Sequence, residues 1–129
     1  MMYGQHMIID AISRSKKLSS TEAVFRFLDE LPKQIGMKKI ITPYVIPYEH
    51  EVPEDSGVSG FVMIAESHIS VHTYPHRGFF LMDVFSCKEF DAEKTVELIK
   101  DYFEAEDARV QLVERKLPLP QIKKKTVQE

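Results

Sequence analysis

Three of the five histidines lie between Glu66 and His76, in the segment Glu66-Ser67-His68-Ile69-Ser70-Val71-His72-Thr73-Tyr74-Pro75-His76. Side chains on an extended strand alternate between its faces. Ile69, Val71 and Thr73 therefore form one side, and His68, Ser70 and His72 the other. Three chemistries fit these residue types. Imidazoles are good zinc or copper ligands, although the chain has neither H-E-x-x-H nor paired C-x-x-C. An imidazole base beside Ser67 or Ser70 would activate a hydroxyl as a nucleophile. The third reading is a half-exposed strand with its polar residues turned to water, and residue types alone leave all three open. The single cysteine, Cys87, has no partner for an internal disulfide and is either a packing residue or a chemical one. His6 and His50 stand alone and read as surface or capping residues.

The surrounding periodicities predict the elements that position this segment. Met7 to Ile12 is short and β-branched, a strand with Asp10 inside it. Ser19 and Glu22 read as a capping box. Behind them Val24, Phe27, Leu28, Leu31 and Ile35 recur at helical spacing, with a kink or break expected at Pro32 and a stop at Gly36. Pro43 and Pro47 make the stretch from Lys38 to Tyr48 an edge strand or extended loop. His50 to Gly57 is a polar turn, and Gly60 to Ala65 a buried strand. Ser67–Tyr74 and Phe79–Cys87 flank the turn Pro75-His76-Arg77-Gly78 as a hairpin. Asp91 caps a second helix whose stripe is Ala92, Thr95, Val96, Ile99, Tyr102 and Phe103. A last strand runs from Ala108 to Arg115, and the tail with Lys123-Lys124-Lys125 is expected to be loose. The order β-α-β-β-β-β-α-β predicts an α+β fold, a two-layer sandwich of antiparallel sheet with two helices on one face.

At 129 residues and 43% hydrophobic composition, the chain is expected to be a single packed domain. The balance of 17 Lys+Arg against 20 Asp+Glu excludes a general binder of nucleic acid or anionic membranes. No apolar run approaches the about 20 residues of a membrane span. No basic region followed by an apolar run is visible near Met1, so no secretory signal is read there. Together with the lone cysteine, this sets the expectation of a cytoplasmic protein.

Gly57-Val58-Ser59-Gly60, Ala65-Glu66-Ser67-His68-Ile69-Ser70-Val71-His72-Thr73-Tyr74-Pro75 and Asp83-Val84-Phe85-Ser86-Cys87 together resemble the prokaryotic S-adenosylmethionine decarboxylases, small pyruvoyl-dependent enzymes of polyamine (spermidine) synthesis. Gly4-Gln5-His6 and Arg109-Val110-Gln111-Leu112-Val113-Glu114 extend the likeness to about residues 3–115. The resemblance implies self-cleavage between Glu66 and Ser67: the Ser67 hydroxyl attacks the Glu66 carbonyl, and the ester then eliminates. Ser67 is left as a pyruvoyl group, a ketone next to an amide that acts as an electron sink. By the same resemblance His72 is the acid/base of processing, kept close to Ser67 by their shared strand. Ser59 is a second processing residue, Cys87 the acid that returns a proton to the product, and Asp10 stands where the family has Glu. No metal is expected. A homodimer with sites at its interface is.

The departures concern the substrate. The family's Trp-Pro-Glu is here Tyr74-Pro75-His76, so the acid that accepts hydrogen bonds from the ribose is replaced by an imidazole with one acceptor at most. Val52 to Ser56 supplies no aromatic for the adenine, which leaves Tyr74 as the stacking ring. Glu51, Glu54 and Asp55 offer acids to a cationic side chain. S-adenosylmethionine is the first substrate expected, with arginine or ornithine as the alternative on the same scaffold. An uncut, non-catalytic binding module is the reading from a different class.

Overall fold

A computed structural model describes residues 2–120. Eight main elements follow one another: β1 (Met2–Ser13), α1 (Thr21–Gln34), β2 (Tyr44–Tyr48), β3 (Gly57–Ile64), β4 (Ser67–Tyr74), β5 (Phe79–Ser86), α2 (Ala92–Phe103) and β6 (Ala105–Lys116). Short 3-10 turns stand at Lys16–Ser19 and Pro53–Asp55. The six strands form one sheet in the order β2-β3-β4-β5-β1-β6, with every neighbouring pair antiparallel. The expected α+β sandwich and element order are both present.

Alternation on the strands builds the core. Met7 and Ile9 of β1, Val62 and Ile64 of β3, Ile69 and Val71 of β4, and Phe80, Met82 and Val84 of β5 point to the helical side and are buried. Val24, Leu28 and Leu31 of α1, with Ile99 and Phe103 of α2, close over them. Each such side chain stabilises the fold by about 1.5–3 kcal/mol through burial. The helices meet at Phe27, whose ring lies 4.8 Å from those of both Tyr102 and Phe103. Thr73 is a buried polar residue of this layer. Its hydroxyl donates to the Leu18 carbonyl at 2.6 Å and accepts from the Val58 amide at 2.9 Å, tying the first 3-10 turn to β3 and β4. Gly57 permits that approach, because a Cβ there would lie 1.8 Å from the Thr73 carbonyl oxygen.

Among the described residues, the opposite face of the sheet carries no helix. Tyr44 (58% exposed), Ile46, Phe61 and Met63 lie open on it, a continuous apolar surface at the β2–β3 end.

Several local expectations change. Ser20, not Ser19, caps α1 by accepting from the Ala23 amide at 3.0 Å, and Ser19 closes the preceding 3-10 turn. That turn buries Leu18, which moves the helix start by one residue. Helix α1 runs through the buried Pro32 to Gln34 and stops at Gly36 with φ of +77°. The third strand begins at Gly57 and is buried only on alternate residues, with Phe61 and Met63 open. Strand β1 is longer than expected, as is β6, which begins at Ala105. Lys123-Lys124-Lys125 and the loose tail expected there lie outside the described residues.

Candidate active site

Ser67 opens β4 immediately after a two-residue turn, Ala65-Glu66, and pairs in register with Ile64 on one side and Ser86 on the other. Its side chain is 8% exposed and follows the buried side of the strand. The hydroxyl accepts from the Cys87 backbone amide at 3.2 Å and donates to the Ala65 carbonyl at 3.3 Å. Cys87 follows the last residue of β5, partly buried, with a free thiol. The β4–β5 hairpin thus brings the Ser67 hydroxyl and the backbone of Cys87 together at one end of the sheet. Gly4 of β1 lets this corner close: a Cβ there would lie 2.9 Å from the Ser86 carbonyl oxygen. Gln5, buried, donates from Nε2 to the Phe90 carbonyl at 2.9 Å and anchors the loop that follows Cys87.

His72 is elsewhere. Five residues along an extended strand is about 17 Å, so His72 does not meet Ser67 within one chain, contrary to the expectation that a shared strand keeps them close. It faces the open side of the sheet, opposite Ser59 in register, with Ser59 Oγ 2.8 Å from His72 Nδ1. That contact engages one ring nitrogen, and Nε2 meets no partner among the described residues. A groove of about 650 Å³ runs along the open face between the two groups, touching Ser59 and His72 at one end and Ser67 and His68 at the other. His68 lies against Phe85, with ring centroids 5.6 Å apart. His6, read as a surface residue, binds Asp83 on the same face, Nε2 to Oδ1 at 3.0 Å.

The expected substrate-binding residues gather at the His72 end. Asp10 shares a cross-strand row with His72 through Leu81, two strand spacings or about 10 Å away. Its carboxylate is held by Arg109, whose Nη2 is 2.8 Å from Oδ2. Tyr74 stacks on Phe79 with centroids 4.8 Å apart, which uses one face of its ring. His76 is exposed in the β4–β5 turn. The neighbouring Arg77 donates through Nε to Asp55 Oδ1 at 2.5 Å. That hydrogen bond, with the guanidinium charge, holds the Asp55 carboxyl below the usual carboxylate range. Asp55 is therefore already engaged by a cation of the chain itself, and the acidic loop keeps only the exposed Glu51 and Glu54.

Sequence reasoning missed Tyr48. It ends β2, lies half-exposed, and lines a cleft of about 230 Å³ with His50, Asp55, Ser59, His72 and Tyr74. The alternation of Tyr44, Ile46 and Tyr48 was the available signal, masked by Pro47 between them. Among the described residues, no three His, Cys, Asp or Glu side chains come together as metal ligands, and no helix is long and apolar enough to cross a membrane.

Comparison with known proteins identifies the family and the fold. Residues 5–116 match the family model described as S-adenosylmethionine decarboxylase. The chain is 34% identical over 114 residues to the S-adenosylmethionine decarboxylase proenzyme of Pyrococcus abyssi, covering 87% of this chain and 78% of that one. It is 32% identical over 116 residues to the proenzyme of the same name from Archaeoglobus fulgidus, covering 89% and 99%. Against that from Clostridium botulinum it is 30% identical over 100 residues, covering 76% and 81%. The fold is that of the crystal structure of the adenosylmethionine decarboxylase from Aquifex aeolicus, at a TM-score of 0.71 and 23% identity over 95% of this chain and 98% of the other. A match that spans the first strand to the last, and takes in Ser59, Ser67, His72 and Cys87, places this chain in the S-adenosylmethionine decarboxylase family.

Proposed function

We propose that the chain is a proenzyme that cuts itself between Glu66 and Ser67, carries a pyruvoyl group at residue 67, and decarboxylates S-adenosylmethionine as a homodimer. The observation that carries this reading is the hydroxyl of Ser67, the residue directly after Glu66, held between the Cys87 backbone amide and the Ala65 carbonyl. These residues fit the group. Ser67 starts a strand whose pairing with β5 holds it in place once the preceding bond is gone. The pyruvoyl ketone supplies an electron sink for the loss of carbon dioxide. Cys87 holds a proton next to that position and delivers it to the product carbon. His72, with Nδ1 engaged by Ser59, offers Nε2 as the acid/base of processing.

The 17 Å or so between Ser67 and His72 calls for a second copy. The uncovered apolar face is where it fits. Two sheets packed face to face about 10 Å apart, related by a twofold axis, bring Ser59 and His72 of one copy to the Ser67 end of the open-face groove of the other. Each site then takes its nucleophile and thiol from one chain, and its imidazole and the Tyr48–Tyr74 cleft from its partner. Rings from Tyr48 and Tyr74 suit a purine and a sulfonium cation. The pairing of Asp55 with Arg77 removes the acid best placed for an arginine or ornithine side chain. Carbon dioxide release from S-adenosylmethionine, arginine and ornithine, measured side by side, tests the reading. Release from the sulfonium substrate alone is expected, and release from arginine or ornithine alone contradicts it.

A further inference from the structure

We propose that Glu66 is a positioning residue whose strained backbone drives the break of its own bond to Ser67; this inference rests on the self-cleavage reading above. Glu66 has φ of +60°, in the left-handed region. An L-residue there places its Cβ against a neighbouring carbonyl oxygen, and only glycine, with asparagine and aspartate to a lesser degree, visits it readily. Among the described residues the other non-glycine case is Glu104, at the C-cap of α2, where a left-handed residue ends the helix in the usual way. The neighbouring hairpin turn meets the same demand with Gly78, at φ of +78°. The chain thus uses glycine where β4 turns into β5 and glutamate where the bond is to be cut.

The strain has no local escape, because the turn is clamped on both sides. Before it, the Ala65 amide donates to the Lys38 carbonyl at 2.9 Å, and Ile64 bridges to Lys39 as well as pairing with Ser67. After it, Ser67 is paired with Ser86 and its hydroxyl is held by the Cys87 amide. In the first step of cleavage the Ser67 hydroxyl oxygen bonds to the Glu66 carbonyl carbon. The bond from that carbon to the Ser67 nitrogen breaks, and the hydroxyl proton ends on the nitrogen, so an amide and an alcohol become an ester and an amine. The exchange runs uphill for an unstrained peptide. Strain in the amide form that the ester linkage relieves raises the starting state and moves the balance toward the ester.

The test follows cleavage of the full-length chain by denaturing mass spectrometry, with hydroxylamine to report the ester. Glu66→Gly, which accepts the left-handed backbone without penalty, is expected to slow cleavage about five- to thirtyfold. Glu66→Asn is expected to fall between that and wild type. Glu66→Gln keeps the backbone penalty while removing the charge, and is expected to cut near the wild-type rate. In a Ser67→Ala background that cannot cut, Glu66→Gly is expected to melt no lower than Ser67→Ala alone, which separates slower cleavage from a damaged fold. Wild-type cutting with equal cutting by Glu66→Gly overturns this inference alone, as does a Glu66→Gln variant slowed as much as Glu66→Gly. A wild-type chain that never cuts overturns the cleavage reading and this inference with it.

Discussion

Ser59 and His72 face each other across β3 and β4, hydroxyl to imidazole at 2.8 Å, at the opposite end of β4 from Ser67. If each site draws on two copies, a chain lacking Ser67 and a chain lacking His72 should rescue one another. Ser67→Ala alone and His72→Ala alone are expected not to cut. Co-expressed, they are expected to form mixed dimers in which one site holds an intact Ser67 and an intact His72. Mass spectrometry should then show the His72→Ala chain cut and the Ser67→Ala chain whole. No cutting in the mixture would place both residues in a single-chain site.

Cys87 should separate processing from turnover. In the proposed reaction its thiol acts after carbon dioxide has left, whereas its contact with Ser67 in the uncut chain runs through the backbone amide. Cys87→Ala is therefore expected to cut and then to decarboxylate about a hundredfold or more slowly, the usual cost of removing a positioned proton donor. Product analysis should also show protons delivered to the wrong carbon. Full activity with normal product would return Cys87 to a packing role.

The cleft at the His72 end should set affinity for the substrate. Tyr48→Ala is expected to raise KM for S-adenosylmethionine by about five- to a hundredfold, the range found for loss of one stacking ring against a base. His76→Glu restores an acceptor for two ribose hydroxyls and is expected to lower KM about tenfold or more. Steady-state kinetics on both variants checks these directions. A higher KM in His76→Glu would mean that the turn does not reach the ribose.

Phe61 lies at the middle of the uncovered apolar surface, 40% exposed. Sedimentation at micromolar concentration should give twice 15.0 kDa for the wild type. Phe61→Asp, which sets a charge in a sheet-to-sheet contact, is expected to shift the mass to 15.0 kDa and to abolish cutting. A wild-type monomer that still cuts would remove the shared site.

Much of the fold was legible because each element announces itself at its own period. The alternation from Ser67 to Tyr74 placed Ile69, Val71 and Thr73 inside and His68 and His72 outside, as found. Asp91 marked the start of α2 by its capping oxygen, 3.0 Å from the Lys94 amide. Ser19 misled because two adjacent serines offer the same chemistry, and burial of Leu18 decided between them. Pro32 removes a single amide donor and did not end α1, because the amides beyond it still bond back into the helix, Ile35 to the Leu31 carbonyl at 3.1 Å and Met37 to the Pro32 carbonyl at 2.7 Å. At the site, residue types and family resemblance named Ser67, His72 and Cys87 but misjudged their spacing. A strand advances about 3.3 Å per residue, so neighbours in sequence separate quickly. Cys87, twenty residues from Ser67, is its true neighbour, because a hairpin folds β5 back along β4.

The central claim is that the Glu66–Ser67 bond breaks without help from another protein. Purified chain, incubated and then denatured, should give two masses by mass spectrometry, residues 1–66 and 67–129, the second without a free amine at its start. Ser67→Ala should remain one intact mass under the same conditions. A wild-type chain that also stays intact after long incubation would contradict the account and leave a binding module that is never cut.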